Sequence, residues 1–208
     1  MSKCMMYANG KPVPIPKKFI SPPPCPSVHW KYLKAGDCIL QHGDAWYSDA
    51  IQEITDSPWS HVAMVVEDSE GALYLAEMTS PKLRMTLLSV WIAENDAIYV
   101  CRLQSPLSDS AKAITWNWWA SKVGKSYGYI MILLQIIPAW WQRLATHLHL
   151  PMKLRFIKVL DMWKVCSTCV GDAYKAAGFV LDEGSSSTLT PADLPRQSFL
   201  GAVEQVTL

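Results

Sequence analysis

The sequence predicts an α+β domain in which a set of short strands is followed by helices, one of them mostly buried. Three observations predict it. Short apolar runs bounded by turn residues crowd the stretch from 38 to 103. From about Ser108 the apolar residues shift to a helical spacing. Near the other end, Cys166, Cys169, Val170, Ala173, Tyr174 and Ala177 recur on one helical face, with Gly178 as a natural stop. Strands gathered ahead of helices fit α+β better than an alternating α/β order.

The 208 residues suffice for one core with an elaboration. A formal charge of +1 implies no nucleic acid or other polyelectrolyte as partner. The six cysteines, Cys4, Cys25, Cys38, Cys101, Cys166 and Cys169, have no framework spacing. The first residues lack the apolar stretch of a signal peptide, so free thiols in a reducing compartment are expected. The chain is therefore expected to be cytoplasmic or virion-associated.

Residues 1–30 read as a proline-rich arm, with Pro12, Pro14, Pro16, Pro22, Pro23, Pro24 and Pro26. Proline at this density favours extended backbone, which can wrap the domain or reach a protein partner. The domain proper spans 31–208. Ala35-Gly36-Asp37 is a turn leading into a strand at Cys38–Gln41, and Asp37 is expected to bond turn amides. A short helix is expected at 48–54, broken by Ser57-Pro58-Trp59. His61–Glu67 is apolar on both faces, as a central strand is. Asp68-Ser69-Glu70-Gly71 turns it back into a strand ending at Glu77-Met78, and Ala97–Leu103 adds another.

The next helix begins at Ser108, with Ala111, Ile114 and Trp118 on its inner face and Gly124 as its stop. A Trp-rich apolar insert follows at about 128–160. Its run Ile130–Ile137 is too short to cross a bilayer, which takes about 20 apolar residues. It reads as a buried or lid helix, or as a segment touching a membrane surface through its tryptophans and nearby Arg143, Lys153 and Arg155. Thr190-Pro191 reads as a helix start with Thr190 as N-cap.

Chemistry concentrates on three residues. Cys166 falls in the first turn of its helix, where unpaired N–H groups and the dipole favour thiolate. A small cysteine packed in a core gives the same pattern, so the thiol alone decides nothing. Of five histidines, only His61 opens a core strand. Glu77 is a carboxylate inside an apolar strand, costly unless it is paired. An odd-numbered hairpin loop or a β-bulge would set His61 opposite Glu77 on one face, and an even loop would turn Glu77 away. The odd loop or bulge is expected. Two rival readings are weaker. Cys166-x-x-Cys169 spells a redox motif but lacks a βαβ setting. Zinc would need two more placed ligands, so no metal and no cofactor is expected.

These residues also carry a resemblance. Leu33–Asp37, Ser60-His61-Val62, the acidic end of the next strand and the late Cys166-Ser167 helix resemble the circularly permuted, papain-like branch of the NlpC-type cysteine peptidases, the YiiX-like group. Gly124–Tyr129 and Thr190–Leu194 fit the same pattern. The resemblance covers about 32–195, and it departs at Val165 and Thr168. It implies an α+β permuted papain-like fold, with a small antiparallel sheet or half-barrel packed against the nucleophile-bearing helix, and the order His61, Glu77, Cys166. It further implies Cys166 as nucleophile, His61 as general base and acid, and Glu77 as the group orienting His61. The backbone N–H of Cys166 would serve the oxyanion hole, with Tyr127 or Tyr47 as a second donor and Ser167 as a further oxyanion or substrate candidate. The implied activity is an amidase or endopeptidase acting on cell-wall peptide bonds through a thioester, in a cell or a phage particle. A lipid acyl hydrolase or acyltransferase of the lecithin:retinol acyltransferase-like type is the alternative, and a non-catalytic virion or scaffold protein is the third. The partner is thus a peptide or acyl substrate.

Overall fold

The computed structural model describes residues 5–8, 11–14, 22, 24–42, 48, 52, 55–79, 82–125, 166–182, 186 and 189–208. Two short strands, β1 (Met5–Ala8) and β2 (Lys11–Pro14), pair as an antiparallel ribbon within the arm. The remaining strands are β3 (Ser27–His29), β4 (Cys38–Gln41), β5 (His61–Glu67), β6 (Leu73–Met78), β7 (Leu83–Leu87), β8 (Ile98–Leu103) and β9 (Leu200–Thr207). They form one sheet in the order β3-β9-β8-β4-β5-β6-β7, antiparallel except for the β3–β9 edge. The helices are α1 (Leu88–Ala93), α2 (Asp109–Ala120) and α3 (Cys166–Ala176).

The sheet is larger than its sequence suggests. Three strands were not anticipated: β3, taken from the last residues of the proline-rich arm, and β7 and β9. Ser48, Gln52 and Thr55 have helical backbone, in line with a helix at 48–54. The Trp-rich insert, Tyr47 and Tyr127 lie outside the described residues. Among the described residues, no helix is long and apolar enough to cross a membrane.

The two faces of the sheet bury separate clusters. On one, Cys38, Leu40, Val62, Met64, Val66 and Ala76 pack under α3 and Trp119 of α2. On the other, Ile39, Ala63, Val65, Leu75 and Val100 pack under α1 through Leu88, Trp91 and Ile92. This division follows from the period of two along β4 and β5. The seven-residue strand β5 is buried on both faces, as its unbroken apolar run predicts.

The β5–β6 hairpin has the odd loop. Glu67 pairs with Leu73, and Asp68 N–H donates to Ala72 O (3.0 Å), which leaves Ser69, Glu70 and Gly71 as a three-residue turn. Gly71 sits at φ +85, where a three-residue hairpin needs a left-handed residue. Asp68 Oδ1 accepts the N–H groups of Glu70 and Ala72 and locks the turn.

Helix α2 starts at its expected cap, Ser108, whose hydroxyl accepts from Ala111 N–H. Its buried stripe is Ala111, Thr115 and Trp119, and Ile114 is 44% exposed. The expected stripe of Ala111, Ile114 and Trp118 is thus rotated by one residue. The cause is Thr115, whose hydroxyl donates to Lys112 O and so can be buried without an unmet polar group. Trp119 is then free to turn inward, where its indole N–H meets Met64 Sδ. Helix α3 ends as expected: Gly178 has φ +93, Gly178 N–H bonds Lys175 O, and Phe179 N–H bonds Tyr174 O.

The expected helix start at Thr190 is different. The Thr190 N–H and hydroxyl both donate to Asp193 Oδ2 (2.8 and 2.6 Å), and a single 3-10 turn follows at Leu194–Arg196. Thr190 therefore donates where a cap would accept, because a carboxylate three residues on outcompetes the backbone N–H groups.

Candidate active site

The site lies where the first residue of β5 meets the first turn of α3. His61 and Glu77 belong to strands that pair Met64 with Ala76. Continued three residues, that register sets His61 opposite Thr79, so Glu77 is its diagonal neighbour on the same face. The expected face is found, but direct opposition is not. A diagonal pair is within reach of two long side chains. His61 Nε2 and Glu77 Oε2 stand 2.9 Å apart.

Glu77 is sealed from water while His61 is not: the carboxylate side chain is 3% exposed and the imidazole 19%. Burial favours the neutral acid, but the hydrogen bond and charge of His61, joined by Arg84, hold the Glu77 carboxyl below its ordinary value. Its second oxygen accepts Arg84 Nε at 2.8 Å and Trp91 Nε1 at 3.1 Å. Arg84 pairs directly with Glu77 across β6–β7, and Trp91 reaches up from α1.

With Nε2 committed to Glu77, Nδ1 is the ring nitrogen left to act on the neighbouring Cys166. Burial works against an imidazolium here. The charge and hydrogen bond of Cys166, followed by those of Glu77, outweigh it and raise the His61 pKa to about 10. Burial likewise opposes a thiolate at Cys166. The His61 charge and hydrogen bond, with the backbone N–H groups of Val62 and Ser167, reverse the balance and lower the thiol pKa. The resting state these groups favour is a thiolate–imidazolium pair.

Ser167 contributes through its backbone. Its hydroxyl is buried and donates to Leu189 O at 2.6 Å, which commits the side chain to the neighbouring loop and removes it as a hydroxyl donor to substrate. Cys169 is wholly buried in the core beneath α3. Asp37 is structural, accepting Lys34 N–H at 2.8 Å with Arg102 Nε 3.5 Å away. Tyr47 and Tyr127, the expected second oxyanion donors, lie outside the described residues. Among the described residues, no three His, Cys, Asp or Glu side chains are grouped as a metal site requires.

Sequence reasoning missed Arg84 and Trp91, both partners of Glu77. One signal was available. A buried carboxylate needs more than one donor, and Lys82 and Arg84 are the two cations that a two- or four-residue β6–β7 connection brings opposite Glu77, the four-residue one being found. Trp91 left no comparable signal, because its contact depends on the docking of α1.

The family model of the permuted papain-like amidases, the YaeF/YiiX or C92 family, matches residues 32–133, just under half of the chain. The matched range holds His61 and Glu77 and ends before Cys166. Among solved structures, the crystal structure of metalloprotein YiiX from Escherichia coli O157:H7 is similar with a TM-score of 0.52 and 24% identity, over 72% of this chain and 69% of that one. No curated protein sequence matches. The fold is the permuted papain-like fold, in an α+β form with a seven-stranded, mostly antiparallel sheet. The family match supports a hydrolase of the papain type, and it is silent on any wider NlpC affiliation.

Proposed function

We propose that the protein is a thiol hydrolase that cleaves amide bonds in cell-wall peptides, with Cys166, His61 and Glu77 as its triad. The observation that carries this reading is the placement of His61 between a depressed thiol and an ionised, sealed carboxylate. Packing alone explains none of the three.

In this reading the Cys166 thiolate attacks the carbonyl carbon, and the oxyanion forms beside the N-terminus of α3, with the Cys166 N–H as a donor. The C–N bond breaks as the His61 imidazolium passes its proton to the leaving amine, and the acyl group remains as a thioester. Water then attacks the thioester while His61 takes its proton, and the thiolate leaves with the acid released. Glu77 holds the Nε2–H tautomer, so that Nδ1 faces the sulfur, and stabilises the charged ring. A tautomer error would present an N–H where an acceptor is needed.

The test is digestion of purified peptidoglycan with acyl-ester substrates in parallel, comparing wild type with Cys166→Ala. Release of peptide fragments by wild type alone is expected. Turnover of acyl esters without peptides would replace the amidase with the acyl-hydrolase alternative. No turnover of either, with Cys166 inert to iodoacetamide, would leave the scaffold alternative.

A further inference from the structure

Helix α1 and the residues just past it are tied to both flanks of His61, and the proposed chemistry uses only one of those ties. On the β6 flank stands Glu77, which accepts the Trp91 indole N–H at 3.1 Å. On the β4 flank stands Gln41, which the register sets directly opposite His61. Residues so paired share a face, with Cβ atoms about 5 Å apart. Around Gln41 that face is apolar: Ile39 lies two residues back on β4, and Ile98 is its partner on β8. A half-buried glutamine there needs its amide bonded.

The amide is bonded back to the same helix. Gln41 Nε2 donates to Asn95 Oδ1 at 3.2 Å, and Asn95 Nδ2 donates to Trp91 O at 2.7 Å. The Asn95 amide is thus engaged at both ends, which fixes its orientation. Trp91 is 1% exposed. One buried residue therefore anchors both neighbours of His61, Glu77 through its indole and Gln41, by way of Asn95, through its carbonyl. Ending elsewhere on the sheet, these bonds would only dock α1. They end on the two residues beside the imidazole.

The ring has a use for the second support. Its bond to Glu77 holds Nε2 but leaves the ring able to pivot about that contact. A pivot toward β4 carries Nδ1 away from Cys166, and a side chain of fixed position on β4 closes that path. Among the described residues, the charged groups acting on His61 are Cys166 from α3 and Glu77 from β6, with Arg84 of β7 behind Glu77. From β4 it meets a neutral amide, so Gln41 restrains the ring without altering its charge balance. Glu94 and Asp96, beside Asn95, are exposed. We propose that Gln41, held by Asn95 and Trp91, is a positioning residue that keeps the His61 imidazole on Cys166. This rests on the hydrolase reading above and deepens it.

Two variants test it. Gln41→Met keeps the length of the side chain but cannot bond Asn95, and Asn95→Ala removes the tie while Gln41 stays. Asn95 lies past the end of α1 and is only half-buried, so its variant decides the matter even where Gln41→Met fails to fold. The full-length protein is titrated with iodoacetamide to follow Cys166, with Cys38 labelling as the sign of a lost fold. His61 is followed by NMR of isotope-labelled histidine, assigned against His61→Ala. In both variants the Cys166 midpoint should rise and the His61 midpoint fall, each by about one pH unit, because the two titrate as a coupled pair. The double variant should add little to either single one, since both break one link. The neutral ring should keep its proton on Nε2, because Glu77 is untouched. Wild-type midpoints in either variant, with Cys38 unlabelled, would overturn the role of Gln41 and leave the hydrolase standing. So would a His61 proton moved to Nδ1, which would assign the effect to a displaced Glu77. A wild-type Cys166 inert to iodoacetamide would overturn the hydrolase reading and this inference with it.

Discussion

Cys166 and Cys38 are buried in the same hydrophobic cluster, yet their thiols are driven in opposite directions. Burial pushes Cys38 well above the ordinary thiol range, and its neighbours Cys101 and Asp37 add to the effect. Burial pushes Cys166 the same way, but an imidazolium and two backbone N–H groups reverse it. The two buried carboxylates repeat the contrast. Glu77 faces His61 and Arg84 and is held down, whereas burial lifts Asp37 to about 6 despite Lys34 N–H and Arg102. Burial is common to both ends of the sheet. What distinguishes the β5–α3 end is that hydrogen bonds and neighbouring charge outweigh burial on each acid, whereas Arg102, 3.5 Å from Asp37, does not, and that difference is where chemistry is expected.

The contrast is broken most severely at the sulfur. Cys166→Ala should lower turnover by about four orders of magnitude, as loss of a nucleophile does elsewhere. Single-turnover assays would measure it. Glu77→Gln should cost about a hundredfold or more in kcat through loss of the tautomer and of the charge that stabilises the imidazolium. The same change removes the buried anion from Arg84, His61 and Trp91 and should destabilise the fold by about 3 kcal/mol in urea titrations. It should also raise the apparent pKa of Cys166 alkylation, because a weaker imidazolium stabilises the thiolate less.

The pH profile carries a sign. Activity should rise as pH climbs through the depressed Cys166 pKa. It should fall again at about 10, where His61 loses the proton it must give to the leaving amine.

Much of this was legible in the chain, and the limits of that legibility are physical. The β5–β6 hairpin announced itself through an apolar run, turn chemistry at Asp68–Gly71 and a second run. The ends of α3 were marked by its cysteine face and Gly178. Strand β7 and helix α1 were not legible, because Leu83–Leu87 runs straight into Leu88–Ala93 with no Gly or Pro between them. Without those two elements, Arg84 and Trp91 could not be placed on Glu77. Strand β9 was missed for another reason. Its edge pairing with β3 leaves most of its side chains partly exposed, so the alternation that marks a half-buried strand is weak.

At the other end of the sheet the effects should be smaller and confined to stability. Between its ordinary value of 3.8 and about 6, folded Asp37 binds a proton that the unfolded chain releases, so stability falls as pH rises through that window. Asp37→Asn should flatten the slope, a change on the order of 2 kcal/mol across the window, read from urea titrations at pH 4 and pH 7. Cys38→Ala should cost about 1 kcal/mol from lost packing and leave kcat within twofold, because Cys38 touches neither substrate nor His61. A hundredfold loss of kcat there would mean that the two ends are not separate.

The central claim is that His61 and the α3 N-terminus turn a buried cysteine into a thiolate. Site-resolved alkylation of the native protein by iodoacetamide from pH 4 to 11 tests it directly, with Cys166 and Cys38 quantified as separate peptides. Cys166 should reach its plateau rate well below the ordinary thiol pKa, and in His61→Ala its titration should move up past that value, while Cys38 stays unlabelled as long as the fold holds. A Cys166 that titrates at or above the ordinary thiol value in wild type, or that ignores the loss of His61, would contradict the account.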